Sequence, residues 1–270
     1  QVVYTPLHGT GREPVLRALA EDGFTSVELV SAQAEPDGAF TTVRSPNPEE
    51  RDALALAIAC AEASGADLVI GTDPDCDRVG IAVKTGDGYR LLSGNQVGAL
   101  LLDFVLQQKR AQLNDRSIVI KTIVTSDLGA KIAQSYGVKM LETLTGFKFI
   151  GQKMTQFQLS GSQEFLMGYE ESYGYLVGDH ARDKDAVVAS MLIAEMAAYY
   201  KAQGKTLSDA LAGLYQKFGY YVDEVESFTL EGISGQERIH QIMQALRAET
   251  PETIGGLFVV ELTPERWLHA

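Results

Sequence analysis

The chain has 270 residues, 45% hydrophobic and 22% charged, and a formal net charge of −13 from 23 basic and 36 acidic side chains. That composition fills real cores, and the length suits two domains better than one. An acidic surface with no Lys/Arg run excludes nucleic acid as the expected partner, and no apolar run nears the roughly 18 residues that would predict a membrane span.

In chain order, Val2-Val3-Tyr4 reads as a strand, Pro6 to Gly11 as a turn, and the next stretch as a helix with Val15, Leu16 and Leu19 on one side. A strand at Val27 to Val30 precedes a long loop, Ser31 to Pro48, with three prolines. Glu49 to Ser64 is predicted as a helix and Asp67 to Ile70 as a buried strand. Val79 to Val83 and Tyr89 to Leu92 form a hairpin around Thr85-Gly86-Asp87-Gly88. Ser93-Gly94-Asn95-Gln96 has the spacing of a capping box and opens a new unit. Strands at Ser117 to Val124, Val138 to Leu141 and Phe165 to Met167 then alternate with helices at Leu128 to Tyr136 and Phe149 to Phe157. Helices at Asp185 to Ala202 and Thr206 to Phe218 close that unit. Beyond it, Val222 to Leu230 looks extended, Gln236 to Arg247 is amphipathic, and Trp267 stands isolated.

This alternation predicts an α/β protein of two consecutive domains, each a mixed, largely parallel sheet flanked by helices. The expected boundaries are 1–91, 92–218 and a remainder, 219–270, that reads as a connector and the opening of a further domain. The first residues look like a strand entered partway, as in an excised piece of a longer protein. Cys60 and Cys76 lack CxxC spacing, which fits a reduced, cytoplasmic setting.

The chemistry concentrates in Asp73-Pro74-Asp75-Cys76-Asp77-Arg78, directly after a buried strand. Pro74 breaks helix and ladder alike, so the segment is a loop in which three carboxylates can converge. Crowding them is costly unless a cation neutralises them, and hard oxygen donors suit Mg2+ best. Arg78 offers a planar fork for a phosphate. An EF-hand would need glycine and glutamate where this chain has Arg78 and Lys84. A phosphatase with Asp73 as nucleophile and a plain solvated turn stay open on these residues alone.

A second constellation, Gly168-Tyr169-Glu170-Glu171-Ser172-Tyr173-Gly174, again follows a strand and, on these residues alone, suits vicinal sugar hydroxyls or a plain loop with a surface charge pair equally. Downstream, His180-Ala181-Arg182-Asp183-Lys184-Asp185 gathers cations that could meet a phosphate, or a helix cap at Asp183 or Asp185. Thr143-Leu144-Thr145-Gly146-Phe147-Lys148 precedes a helix and holds either an anion or merely a capping Thr145. His8-Gly9-Thr10-Gly11 is a weak phosphate signal, with His8 read as structural or at a domain boundary rather than catalytic.

Taken together, Tyr4 to Gly11, Thr72 to Arg78, Thr145-Gly146-Phe147-Lys148 and Gly168 to Ser172, in this order, resemble the phosphoglucomutase/phosphomannomutase (α-D-phosphohexomutase) family, in its bacterial phosphoglucomutase branch. The resemblance covers about residues 1 to 218. It implies an isomerase of four domains that moves phosphate between O1 and O6 of a hexose through a phosphoserine and a bisphosphorylated sugar. It further implies Mg2+ on Asp73, Asp75 and Asp77, with Arg78, Thr145, Gly146, Lys148, Glu170, Ser172 and Lys184 lining the substrate. The implied ligands are glucose 1-phosphate, glucose 6-phosphate and glucose 1,6-bisphosphate.

Neither the family's serine loop nor the phosphate clamp of its last domain occurs in the sequence. The chain thus corresponds to the second and third domains, with the first and fourth as its missing partners. It is expected to hold no complete catalytic set, to bind Mg2+ weakly and to be inactive alone. The alternatives are a mutase of the same family acting on mannose or pentose phosphates, or a stand-alone sugar-phosphate or metal-binding module.

Overall fold

A computed structural model of the chain describes residues 1–223, 230, 232–249, 251–254 and 256–258. Residues 1–221 make one compact unit and residues 222–270 another. In the first unit, β1 (Val2–Thr5) leads into α1 (Arg12–Glu21), β2 (Val27–Leu29), α2 (Ala55–Ser64), β3 (Leu68–Thr72), β4 (Val79–Thr85) and β5 (Gly88–Leu92). The sheet order is β2-β1-β3-β4-β5, parallel across β2, β1 and β3 and antiparallel from β3 to β5. β1 and β3 are buried along their whole length, which is why both read as unbroken apolar runs rather than alternating ones.

The chain then passes through α3 (Gly94–Gln108), β6 (Ser117–Thr122), α4 (Leu128–Ser135), β7 (Lys139–Thr143), α5 (Phe147–Ser160), β8 (Glu164–Tyr169), β9 (Tyr175–Val177), α6 (Ala186–Ala202) and α7 (Leu207–Phe218). The second sheet, β7-β6-β8-β9, repeats the plan of the first: three parallel strands and an antiparallel edge. Both sheets are therefore mixed, largely parallel and flanked by helices, as the α/β alternation predicts. One hydrophobic core runs through both halves, from Val15, Leu19, Ile70 and Ile81 to Leu100, Leu101, Val119 and Ile193. Helix α6, although it follows the second sheet, packs on α1 and on β3 and β4 of the first.

The Ser93 capping box is fully formed, with Gln96 N–H donating to Ser93 Oγ (3.2 Å) and Ser93 N–H to Gln96 Oε1 (3.1 Å). Three local expectations change. The helix expected from Glu49 begins at Ala55, because residues 50–55 close successive i→i−3 turns and Asn47 Oδ1 captures the Glu49 N–H (3.1 Å). The helix expected over 149–157 is longer, Phe147–Ser160, bounded by Gly146 and Gly161 at positive φ. β9 was not expected; three residues are too few to show a strand period.

In the second unit, α8 (Gly232–Ala248) contains the amphipathic stretch, and β10 (Thr253–Ile254) pairs antiparallel with β11 (Leu257–Phe258). Most of the stretch expected to be extended after Val222, and Trp267, lie outside the described residues.

Candidate metal and sugar-phosphate site

The residues singled out by chemistry lie on loops at the carboxyl ends of the parallel strands β1, β3, β7 and β8, the open end at which α/β sheets bind ligands. After β3, Asp73 folds the loop around its own carboxylate. Oδ1 accepts from the N–H groups of Asp77 (3.1 Å) and Arg78 (2.9 Å), and Oδ2 accepts from Arg78 Nε (2.7 Å). Cys76 takes a left-handed backbone, φ 59°, which turns the chain between Asp75 and Asp77. One carboxylate oxygen each from Asp73, Asp75 and Asp77 lies within 4.8 Å of the others, so this group could hold a metal ion. Asp73 is buried, Asp77 half-buried and Asp75 exposed.

Burial pushes the Asp73 carboxyl up to about 6, against the pull of its hydrogen bonds to Arg78, while the neighbouring Asp77 charge adds to the rise. A divalent cation would relieve that crowding, and three hard oxygens fit Mg2+. Burial pushes the nearby Cys76 thiol up to about 12, and a hard cation such as Mg2+ prefers the carboxylate oxygens to sulfur.

The turn after β1 buttresses this loop. Thr10 N–H and Oγ1–H both donate to Pro74 O, at 2.8 and 3.1 Å. Gly9 lies so close beneath Pro74 that an added Cβ would sit 2.3 Å from Pro74 Cα. His8 is buried, with Nδ1 donating to Glu35 O (3.0 Å) and Nε2 2.8 Å from the Thr42 hydroxyl. Both ring nitrogens are thus committed to holding the long loop, the structural part expected of it.

The Glu170 loop meets the acidic loop directly. Gly174 bridges Arg78 in antiparallel pairing, and Val79 N–H donates to Tyr173 O (3.1 Å). Its two carboxylates diverge. Glu170 is buried and accepts from Gly146 N–H (2.9 Å). Burial pushes its carboxyl up, opposed by that N–H and by Lys184. Glu171 instead turns towards β6, where Oε2 accepts from Thr122 Oγ1 (3.0 Å) and Thr125 Oγ1 (2.9 Å). Ser172 stands half-buried between Glu171 and Tyr173.

Of the downstream cations, Lys184 reaches the acidic loop, its Nζ 2.9 Å from Asp77 Oδ2. Burial disfavours its charge, yet the Asp77 carboxylate holds the ammonium above its ordinary range. Arg182 is spent on local partners, donating to Asp179 O (2.7 Å), Ala181 O (2.8 Å) and Gln158. His180 pairs with Asp185 (2.8 Å), and Asp185 rather than Asp183 caps α6. Thr145 is not the cap of α5; that position is Gly146, and the Thr145 hydroxyl is buried without a hydrogen-bond partner among the described residues. Lys148 is exposed on the first turn of α5, its Nζ 5.1 Å from the Phe149 ring centre.

Three participants escaped the sequence reading. Glu49 Oε1 lies 3.5 Å from Arg78 Nη1, so the Arg78 guanidinium is held between Asp73 and Glu49. Thr122 and Thr125 anchor Glu171. None carries a signal in one sequence, since a glutamate at the expected start of a helix and threonines at and just past a strand end are ordinary there. A hollow of about 470 Å3 beside Lys84, Lys201 and Lys205 lies at Asp67, at the other end of β3 from the acidic loop.

Two family descriptions match the chain: "Phosphoglucomutase/phosphomannomutase, alpha/beta/alpha domain II" over residues 1–86 and the corresponding domain III over residues 93–218. The chain belongs to the phosphoglucomutase/phosphomannomutase family, in its domain II and III region. It is 44% identical over 260 residues to a phosphoglucomutase of Staphylococcus aureus (strain N315), covering 96% of this chain and 46% of that protein. It is 41% identical over 261 residues to a phosphoglucomutase of Staphylococcus haemolyticus (strain JCSC1435), covering 96% and 47%. The chain thus spans about half the length of these relatives. Its fold is similar to that of a phosphoglucomutase/phosphomannomutase family protein from Burkholderia thailandensis (TM-score 0.61, 21% identity, 79% of this chain and 42% of that one). The Paramecium phosphoglucomutase parafusin is likewise similar (TM-score 0.59, 19% identity, 92% and 42%). Among the described residues no helix is long and apolar enough to cross a membrane.

Proposed function

We propose that the chain is the metal- and sugar-binding middle of a Mg2+-dependent, cytoplasmic phosphohexomutase that interconverts glucose 1-phosphate and glucose 6-phosphate. Its divisions would fall at 91/92 and 218/219. The observation that carries the reading is the convergence of Asp73, Asp75 and Asp77 within 4.8 Å, beside the Glu170 loop. Those three carboxylates would hold Mg2+, which neutralises charge on phosphoryl oxygens when bound.

The chain's own groups do the rest. Arg78, oriented by Asp73 and Glu49, presents its remaining guanidinium edge to phosphate. Buried Glu170 and neighbouring Ser172 accept and donate to vicinal hydroxyls. The buried Thr145 hydroxyl, Gly146 and Lys148 line the sugar, and Lys184 supplies positive charge. The phosphate donor, a phosphoserine, belongs to a domain that the relatives' greater length can accommodate.

Titration with Mn2+ or Mg2+ tests the metal half: weak, saturable binding that Asp75→Asn weakens by about tenfold or more is expected. A coupled assay tests the fragment half, because the purified chain should not convert glucose 1-phosphate. Measurable turnover would refute that part.

A further inference from the structure

Asp77 faces three claims on one carboxylate. Its Oδ2 lies 2.9 Å from Lys184 Nζ, its Oδ1 lies 3.7 Å from Arg78 Nε, and it belongs to the converging acidic group. Lys184 has few alternatives. Its Nζ lies 3.5 Å from Asp183 Oδ1 and 6.0 Å from the Phe147 ring centre, and Glu170 is the other acid whose charge it feels. Its stem is pinned over Gly174, where an added Cβ would sit 2.0 Å from Lys184 Cδ. The packing over Gly174 runs from Cγ to Cε, so what can turn is the ammonium itself, about the Cδ–Cε bond.

We propose that Lys184 couples cation binding at the acidic loop to anion binding beside the Glu170 loop, through its ion pair with Asp77. This rests on the metal and sugar-phosphate reading above and adds a direction to it. A divalent cation drawing on Asp77 weakens that carboxylate's hold on the ammonium and repels it. The swung ammonium stays within reach of Phe147 and Glu170, on the side of the Thr145-Gly146 loop, where it meets a phosphate. Reciprocity follows: an anion that takes Lys184 from Asp77 leaves Asp77 a better ligand for the cation.

The test measures Mn2+ affinity of the chain, by calorimetry or electron paramagnetic resonance, with and without glucose 1-phosphate, after correcting for Mn2+ bound to the free sugar phosphate. In the unsubstituted chain, glucose 1-phosphate should tighten Mn2+ binding by about fivefold or more. In Lys184→Met, Mn2+ alone should bind more tightly than in the unsubstituted chain, and the tightening by glucose 1-phosphate should fall below about twofold. Lys184→Arg, which keeps the charge and guards against a folding artefact, should restore most of the coupling. Coupling that survives Lys184→Met overturns this inference and leaves the metal reading standing. No Mn2+ binding by the unsubstituted chain overturns both.

Discussion

Lys184 Nζ sits 2.9 Å from Asp77 Oδ2, joining the loop that follows β3 to the segment that leads into α6, more than one hundred residues later. The stem reaches Asp77 by crossing Gly174, the residue that also bridges Arg78. Gly174→Ala would put a methyl group 2.0 Å from Lys184 Cδ and force the lysine aside. Expected are a loss of about 1–3 kcal/mol in urea unfolding, as for other overpacked sites, and loss of the Lys184-dependent coupling.

Gly9→Ala should cost more than a surface change. Its Cβ would meet Pro74 backbone at 2.3 Å, and backbone cannot rotate away as a side chain does. A destabilisation of about 2 kcal/mol or more is expected, with weaker Mn2+ binding because Pro74 moves with the carboxylates on either side of it. Unchanged stability with unchanged Mn2+ affinity would show that the β1 turn does not support the acidic loop.

Asp75→Asn should separate stability from ligand binding. Asp75 is exposed, so unfolding should shift by no more than about 0.5 kcal/mol. Mn2+ affinity should nevertheless fall by about tenfold or more, because one of three charged ligands is lost. In a full-length mutase, turnover should fall several-fold or more.

Thr125→Val should release Glu171. Its hydroxyl lies 2.9 Å from Glu171 Oε2 and receives the Glu171 N–H at 3.2 Å. Losing both hydrogen bonds in a half-buried setting should cost about 1–3 kcal/mol. The backbone amide signals of residues 170–174 should shift in NMR spectra more than those of the acidic loop.

Asp37 provides a pH prediction. N–H groups of Thr41 and Ala39 and the Thr41 hydroxyl donate to its carboxylate, and those of Thr41 foremost hold it down at about 2. A depressed folded value means stabilisation present above the ordinary aspartate range of about 4, and lost as pH falls through about 2. Carboxyl NMR titration should place the midpoint near 2, and Thr41→Val should raise it towards the ordinary range.

Much of this protein was legible one residue at a time. Apolar runs at β1 and β3 mark strands buried on both faces, and the Ser93 capping box marks a helix start, because both depend on local spacing. The i, i+2, i+4 aspartates after a buried strand mark, for the same reason, carboxylates that converge and could hold a metal ion. Arg78 held between Asp73 and Glu49, Glu171 turned to Thr122 and Thr125, and Lys184 drawn to Asp77 belong to the tertiary structure alone. Each depends on where loops from different strands meet. A side chain's partner across such a gap is set by sheet order and core packing, above all by α6 lying against the first sheet, and those leave no period or motif in the sequence.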